Sequence, residues 1–76
     1  MRRKNARGVH ANAQRAWHAL IDHYGEDAGY SLCVQLWMRA EELRRMNGPA
    51  APHYAALLDK LSNDLERVLV ARGVIG

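Results

Sequence analysis

The sequence predicts an all-α fold, a small domain of three helices. Alanine and leucine supply 21 of the 76 residues, whereas valine and isoleucine supply seven, and threonine and phenylalanine none. Because alanine and leucine favour helices while β-branched and aromatic residues favour strands, this composition predicts helices. Two break points, Gly25 and Gly48-Pro49, divide the chain into three segments in which apolar residues recur every three or four positions. A chain of this length forms one domain.

The first helix is predicted over residues 9–24, after a flexible basic arm that comprises residues 1–8. The arm ends at Gly8, and Asn12 is an alternative start because asparagine is a good N-cap residue. The apolar positions of this helix are Val9, Ala13, Ala16, Trp17, Leu20, Ile21 and Tyr24. Gly25 ends the helix, since glycine tolerates the positive φ that is common just after a helix.

The second helix is predicted over residues 27–47. Glu26 and Asp27 lie near its first turn, whereas Arg44 and Arg45 lie in its last turn. This order of charges complements the helix dipole, and Gly48-Pro49 marks the stop.

The third helix is predicted over residues 52–72, with Pro52 in its first turn, where proline is well tolerated. Its apolar residues alternate at spacings of four and three, which is typical of a coiled-coil seam: Tyr54, Leu58, Leu61, Leu65 and Val68. The helix closes at Gly73 and leaves a short apolar tail.

Residues 30–38 are too apolar for a helix with one buried face. Seven of these nine residues are apolar and together cover an arc of roughly 240°, against roughly 100° for an ordinary amphipathic helix. Two flanking helices cannot cover so wide an arc, and a single cysteine, Cys33, excludes an internal disulfide. We therefore expect homodimerisation or a protein partner to complete the fold. The candidate interface residues are Tyr30, Val34, Trp37 and Met38 on the second helix and Leu58, Leu61 and Leu65 on the third.

A strand is the alternative structure for residues 30–38. Tyr30, Leu32, Val34, Leu36 and Met38 also alternate with period two, which is typical of a strand. Such a strand would have to pair with its own copy in a dimer, because the sequence offers no second strand. We favour the helix, since the helical pattern continues beyond residue 39 without a break.

The net charge of +3 is concentrated near the N-terminus. Four of the eleven basic residues lie within the first seven positions, Arg2, Arg3, Lys4 and Arg7. This arm could contact three or four phosphates of a nucleic acid, which would give weak and salt-sensitive binding. The first residues of the second and third helices are mostly apolar and lack the arginine, asparagine and glutamine side chains that bind base edges. We therefore do not expect sequence-specific recognition in a DNA groove.

The sequence predicts no metal site, no cofactor and no catalytic site. His18 and Asp22 are one turn apart and would be the first two ligands of a metal, but no third ligand lies at a suitable spacing. Neither Ser31 nor Ser62 lies in a nucleophile turn between glycines, and no glycine-rich phosphate loop is present.

Taken together, these features predict a non-enzymatic interaction protein. No apolar segment follows the basic N-terminal residues, and no run approaches the roughly 20 apolar residues that span a bilayer, so we expect a cytoplasmic protein without membrane contact. The predicted role is a homodimeric inhibitor or adaptor that binds a macromolecular protein partner through apolar and aromatic helix surface. In size it is similar to accessory proteins of phages and mobile elements. The alternative is a nucleic-acid-associated module that uses the basic arm.

Overall fold

A computed structural model describes residues 5–76, with side chains from residue 12 onward. It has three helices, α1 (Asn5–Tyr24), α2 (Glu26–Arg45) and α3 (Ala51–Ala71). The predicted all-α fold is therefore confirmed, and the strand alternative for residues 30–38 is wrong, because these residues form continuous helix within α2. Over the described residues, none of the helices combines the length and the apolar character that a membrane span requires.

The predicted helix boundaries differ most from the structure at the start of α1. The helix begins at Asn5 rather than at residue 9, so Gly8 lies inside it and does not mark the end of an arm. A glycine inside a helix costs only about 1 kcal/mol relative to alanine, and Ala6 and Arg7 just before it are good helix formers. Arg7 therefore lies on a helical backbone, whereas Arg2, Arg3 and Lys4 lie outside the described residues.

The helices α2 and α3 form an antiparallel hairpin. Near its middle, the Cys33 thiol donates a hydrogen bond to the carbonyl of Ser62 with a separation of 3.7 Å. Near the connecting turn, Arg44 of α2 forms an ion pair with Asp59 of α3. Buried alanines at positions 40, 51 and 55 keep side-chain bulk between the two helices small, so that their backbones can approach closely.

Gly29 marks the point where all three helices meet. A Cβ atom at this position would lie only 2.8 Å from Cγ1 of Ile21 and 3.4 Å from Cδ2 of Leu69. Ile21 of α1 thus fills the space that the glycine of α2 leaves open. It forms the buried core together with Leu65, Val68 and Leu69 of α3.

The orientation of α1 gives the molecule an open shape. A 20-residue helix is about 30 Å long, yet the molecule measures 39 × 37 × 21 Å, so two of its axes exceed a helix length. Its radius of gyration is 13.9 Å, compared with about 11 Å for a compact chain of this length. We conclude that α1 is steeply inclined to the hairpin instead of lying along it.

Arg72, the C-cap residue of α3, forms polar contacts with both of the other helices. Its guanidinium donates hydrogen bonds to Oδ1 of Asp22 at 2.7 Å and to Nδ1 of His18 at 3.0 Å, both on α1. Its buried Nε lies 3.9 Å from the carboxylate of Glu26 at the start of α2. Because Asp22 and Glu26 are more than half exposed, solvent screens these ion pairs, and the apolar contacts of Ile21 contribute more to holding α1.

The C-terminus turns back onto the core through a Schellman motif. Gly73 adopts a positive φ of 78°, which glycine tolerates without strain. The N–H of Val74 donates to the carbonyl of Leu69 at 2.9 Å, and the N–H of Gly73 donates to the carbonyl of Val70 at 3.0 Å. Val74 and Ile75 consequently pack against the core.

We predict that Gly29→Val destabilises the fold. The added side chain would collide with Ile21 and Leu69 in a filled core, and overpacking of this kind lowers the free energy of unfolding by about 2 kcal/mol. Urea unfolding monitored by circular dichroism measures the change. Gly48→Ala is the control, because no atom lies within 4 Å of a Cβ at that position. Equal free energies of unfolding for the two variants would show that Gly29 is not in close contact with Ile21 and Leu69.

We also predict that α1 is held mainly by Ile21. The Ile21→Ala variant should lose about 3 kcal/mol of unfolding free energy, because it opens a cavity at a fully buried position. The Arg72→Met variant should lose less than about 1 kcal/mol, because its ion pairs are solvent-screened. Urea titrations and amide hydrogen exchange in α1 provide the measurements. A larger loss of unfolding free energy for Arg72→Met than for Ile21→Ala would show that the ion pairs of Arg72, and not Ile21, hold α1.

Candidate protein-interaction surface

The second helix, α2, carries two apolar stripes on different faces. Its inner stripe faces α3 and the core and consists of Leu32, Cys33, Leu36 and Ala40. Its outer stripe, the name used below for Tyr30, Val34, Trp37 and Met38, lies on the neighbouring face, and its edge at Val34 and Trp37 adjoins α3. Since successive residues of a helix are separated by 100°, the outer stripe falls within an arc of about 100°. The unusually wide apolar arc of this segment is therefore the sum of two stripes of ordinary width.

The outer stripe is largely open to solvent. The exposed fractions are 49% for Tyr30, 56% for Trp37 and 44% for Met38, while Val34 is half-buried. Counted from Tyr30, the four residues stand at i, i+4, i+7 and i+8, which is the spacing by which a helix presents anchors to a groove of another protein. Tryptophan, tyrosine and methionine are also enriched in the contact regions of protein interfaces.

Two shallow depressions flank Trp37, one on either side. The first has a volume of about 340 Å³ and is lined by Trp37, Met38, Glu41, Glu42 and Arg45. The second has a volume of about 240 Å³ and is lined by Cys33, Val34, Trp37, Ser62, Glu66 and Ile75. The indole of Trp37 therefore separates the two depressions, and a partner could place its own side chains in them.

Charged side chains surround the outer stripe, and most are already paired. Arg39 lies 2.9 Å from Glu42, and Arg44 lies 2.7 Å from Glu41 while also contacting α3. Among the described side chains around the stripe, Arg45, Glu66 and Asp27 form no ion pair. One cation and two anions at the rim thus remain to pair with charges of a partner.

The three interface candidates on α3 have different environments. Leu65 is fully buried, with an exposed fraction of 0%, and belongs to the core of the protomer, so it offers no surface to a partner. Leu58 and Leu61 are half-buried. Of the three, Leu61 lines an open groove that α1 and α3 form together.

This α1–α3 groove is a second apolar surface, and sequence analysis did not identify it. It has a volume of about 230 Å³ and is lined by Ala13, Ala16, Trp17, Leu20 and Leu61. All five residues are apolar, and Ala16 is exposed. A signal was present in the sequence, because the apolar residues of α1 span about 140°, more than the roughly 100° that one contact face requires.

His18 and Asp22, the pair expected to ligate a metal if one bound, contact Arg72 instead. The guanidinium is a permanent cation, and it occupies the position between the imidazole and the carboxylate that a metal would need. Within residues 12–76, no group of three or more His, Cys, Asp or Glu side chains is arranged to hold a metal ion.

Comparison of the chain with protein-family models, with curated proteins and with solved structures finds no match. Function is therefore inferred from the outer stripe, the α1–α3 groove and the charges around them. Of these, the outer stripe contains the largest exposed aromatic side chains.

Proposed function

We propose that this protein is a non-enzymatic interaction module, an inhibitor or adaptor that binds a macromolecular protein partner through the outer stripe of α2. One observation carries the proposal. Tyr30, Trp37 and Met38 are about half exposed on one face of α2, whereas the opposite face of the same helix is committed to the core. A row of large, exposed apolar side chains on a helix that packs against the core with its other face is typical of a binding surface.

The geometry favours binding of α2 in a hydrophobic groove of the partner. Trp37 lies between Tyr30, at the N-terminal end of the outer stripe, and Arg45, which lines the depression beyond its C-terminal end. These three residue types dominate the binding energy of known interfaces. Burial of the exposed half of an indole removes on the order of 100 Å² of surface from water, which contributes about 2 to 3 kcal/mol.

Homodimerisation and a cytoplasmic location are part of the same proposal. Cys33 is a free, half-buried thiol, which suits a reducing compartment. A domain of this size gains stability from a second copy more readily than from its own small core. A small inhibitor or adaptor of this type also fits the accessory proteins of phages and mobile elements.

The role of Trp37 can be tested by affinity capture from a lysate of the native host. The Trp37→Ala variant should bind the captured protein at least about 30-fold more weakly than the unaltered chain, which corresponds to a hot spot of 2 kcal/mol. Tyr24→Ala is the matched control, because Tyr24 is an aromatic residue with an exposed fraction of 68% on a different helix. Titration of the purified partner measures both affinities. Equal binding by the two variants would disprove a role for the outer stripe.

The basic N-terminal residues support nucleic-acid binding as a second candidate function. A truncated chain distinguishes this function from binding of a protein partner. Removal of residues 1–4 deletes Arg2, Arg3 and Lys4 but leaves the described start of α1 intact. We expect the truncated chain to keep its affinity for the protein partner. If the chain instead binds duplex DNA in filter-binding assays, with an affinity that falls steeply with salt and is lost on truncation, the nucleic-acid function is correct.

A further inference from the structure

The second depression beside Trp37 contains a single charged residue, Glu66. Its other lining residues are uncharged: Cys33, Val34, Trp37, Ser62 and Ile75. Within residues 12–76, Glu66 forms no ion pair. The helix positions three and four residues away from it also hold no cation: Ser62, Asn63, Leu69 and Val70. The exposed carboxylate of Glu66 thus has no counter-charge in the described part of the protein.

The carboxylates on the other side of the indole are already paired. Glu41 lies 2.7 Å from Arg44, and Glu42 lies 2.9 Å from Arg39. At these distances each carboxylate accepts a charge-assisted hydrogen bond from its arginine. Of the three carboxylates that line the two depressions, Glu66 is the one without a cationic partner among the described side chains.

A partner that covers Trp37 also covers Glu66, because both residues line the same depression of about 240 Å³. Removal of water from a carboxylate is strongly unfavourable unless a counter-charge replaces it. An apolar side chain in this depression would leave Glu66 without a counter-charge, whereas a cation would compensate for the lost hydration. The face of an indole also attracts cations, and Val34 and Ile75 offer apolar contacts to the methylene groups of an arginine or a lysine.

We propose that the partner of the outer stripe inserts an arginine or lysine side chain into the second depression, where its cation lies against the indole of Trp37 and pairs with Glu66. The buried hydroxyl of Ser62 provides a further acceptor. Its one hydrogen-bond contact among the described side chains is with the Cys33 thiol, at 3.8 Å, and a hydroxyl oxygen has two lone pairs. The inference rests on the proposed function, since it takes the outer stripe as the binding surface, and it specifies the chemistry of the protein that binds there.

Selection from a phage-displayed library of random peptides against the full chain provides the probe. We expect the peptides that bind the unaltered chain but not the Trp37→Ala variant to share an arginine or a lysine beside apolar residues. One such peptide is then synthesised, together with a version in which methionine replaces the basic residue. Isothermal titration calorimetry measures the affinity of both peptides for the unaltered chain and for two variants.

The Glu66→Gln variant should bind the basic peptide at least about 10-fold more weakly than the unaltered chain does. Glu42→Gln is the matched control, because it removes the same charge on the other side of Trp37, from a carboxylate that already pairs with Arg39. It should change the affinity by less than about three-fold. The methionine peptide should bind the unaltered chain and Glu66→Gln about equally. Circular dichroism verifies that both variants keep their helices, which is expected because Glu42 and Glu66 are exposed.

Two results would overturn the basic contact and leave the proposed function intact. The peptides that depend on Trp37 could share no basic residue, or the Glu66→Gln and Glu42→Gln variants could bind the basic peptide equally well. In both cases the outer stripe binds a partner, but Glu66 does not select a cation. If no selected peptide depends on Trp37, the outer stripe is not a binding surface, and the proposed function and the inference both fail.

Discussion

The contact between Ile21 and the backbone of Gly29 is the constraint on which the rest of the structure depends. Because Gly29 has no Cβ, Ile21 can enter the hairpin between α2 and Leu69 and become almost completely buried. This places the anchoring point of α1 near its C-terminal end. The α1–α3 groove lies beside this anchor, because Ala16, Trp17 and Leu20 of α1, which line it, directly precede Ile21 in the helix.

The three helices and the excess apolar character of α2 could be predicted from the sequence, because both depend on local rules. Helix ends at Gly25 and Gly73 follow from the conformational freedom of glycine, and both have the positive φ that this role requires. The wide apolar arc of residues 30–38 follows from counting at 100° per residue. Its division into a buried and an exposed stripe needed the structure, because periodicity does not specify which neighbour covers which face.

The remaining features depend on tertiary contacts that leave little trace in the sequence. Leu61 and Leu65 are neighbouring residues of the apolar seam of α3, yet Leu65 is fully buried and Leu61 lines a groove. The difference depends on which part of α1 lies against each leucine, because Ile21 packs in the core with Leu65 whereas Trp17 and Leu20 form the groove with Leu61. The pairing of Arg72 with His18 and Asp22 likewise joins residues at least 50 positions apart. The start of α1 before Gly8 has a local cause, because a glycine inside a helix carries only a modest penalty.

The support of α2 by α3 explains how so small a chain can present a binding helix. An isolated helix of 20 residues is marginally stable in water, and a partner that had to order it would lose affinity to conformational entropy. Here the inner stripe fixes the helix against α3, and the Cys33–Ser62 and Arg44–Asp59 contacts join the two helices at their middle and near the turn. The outer stripe is therefore already in its binding conformation.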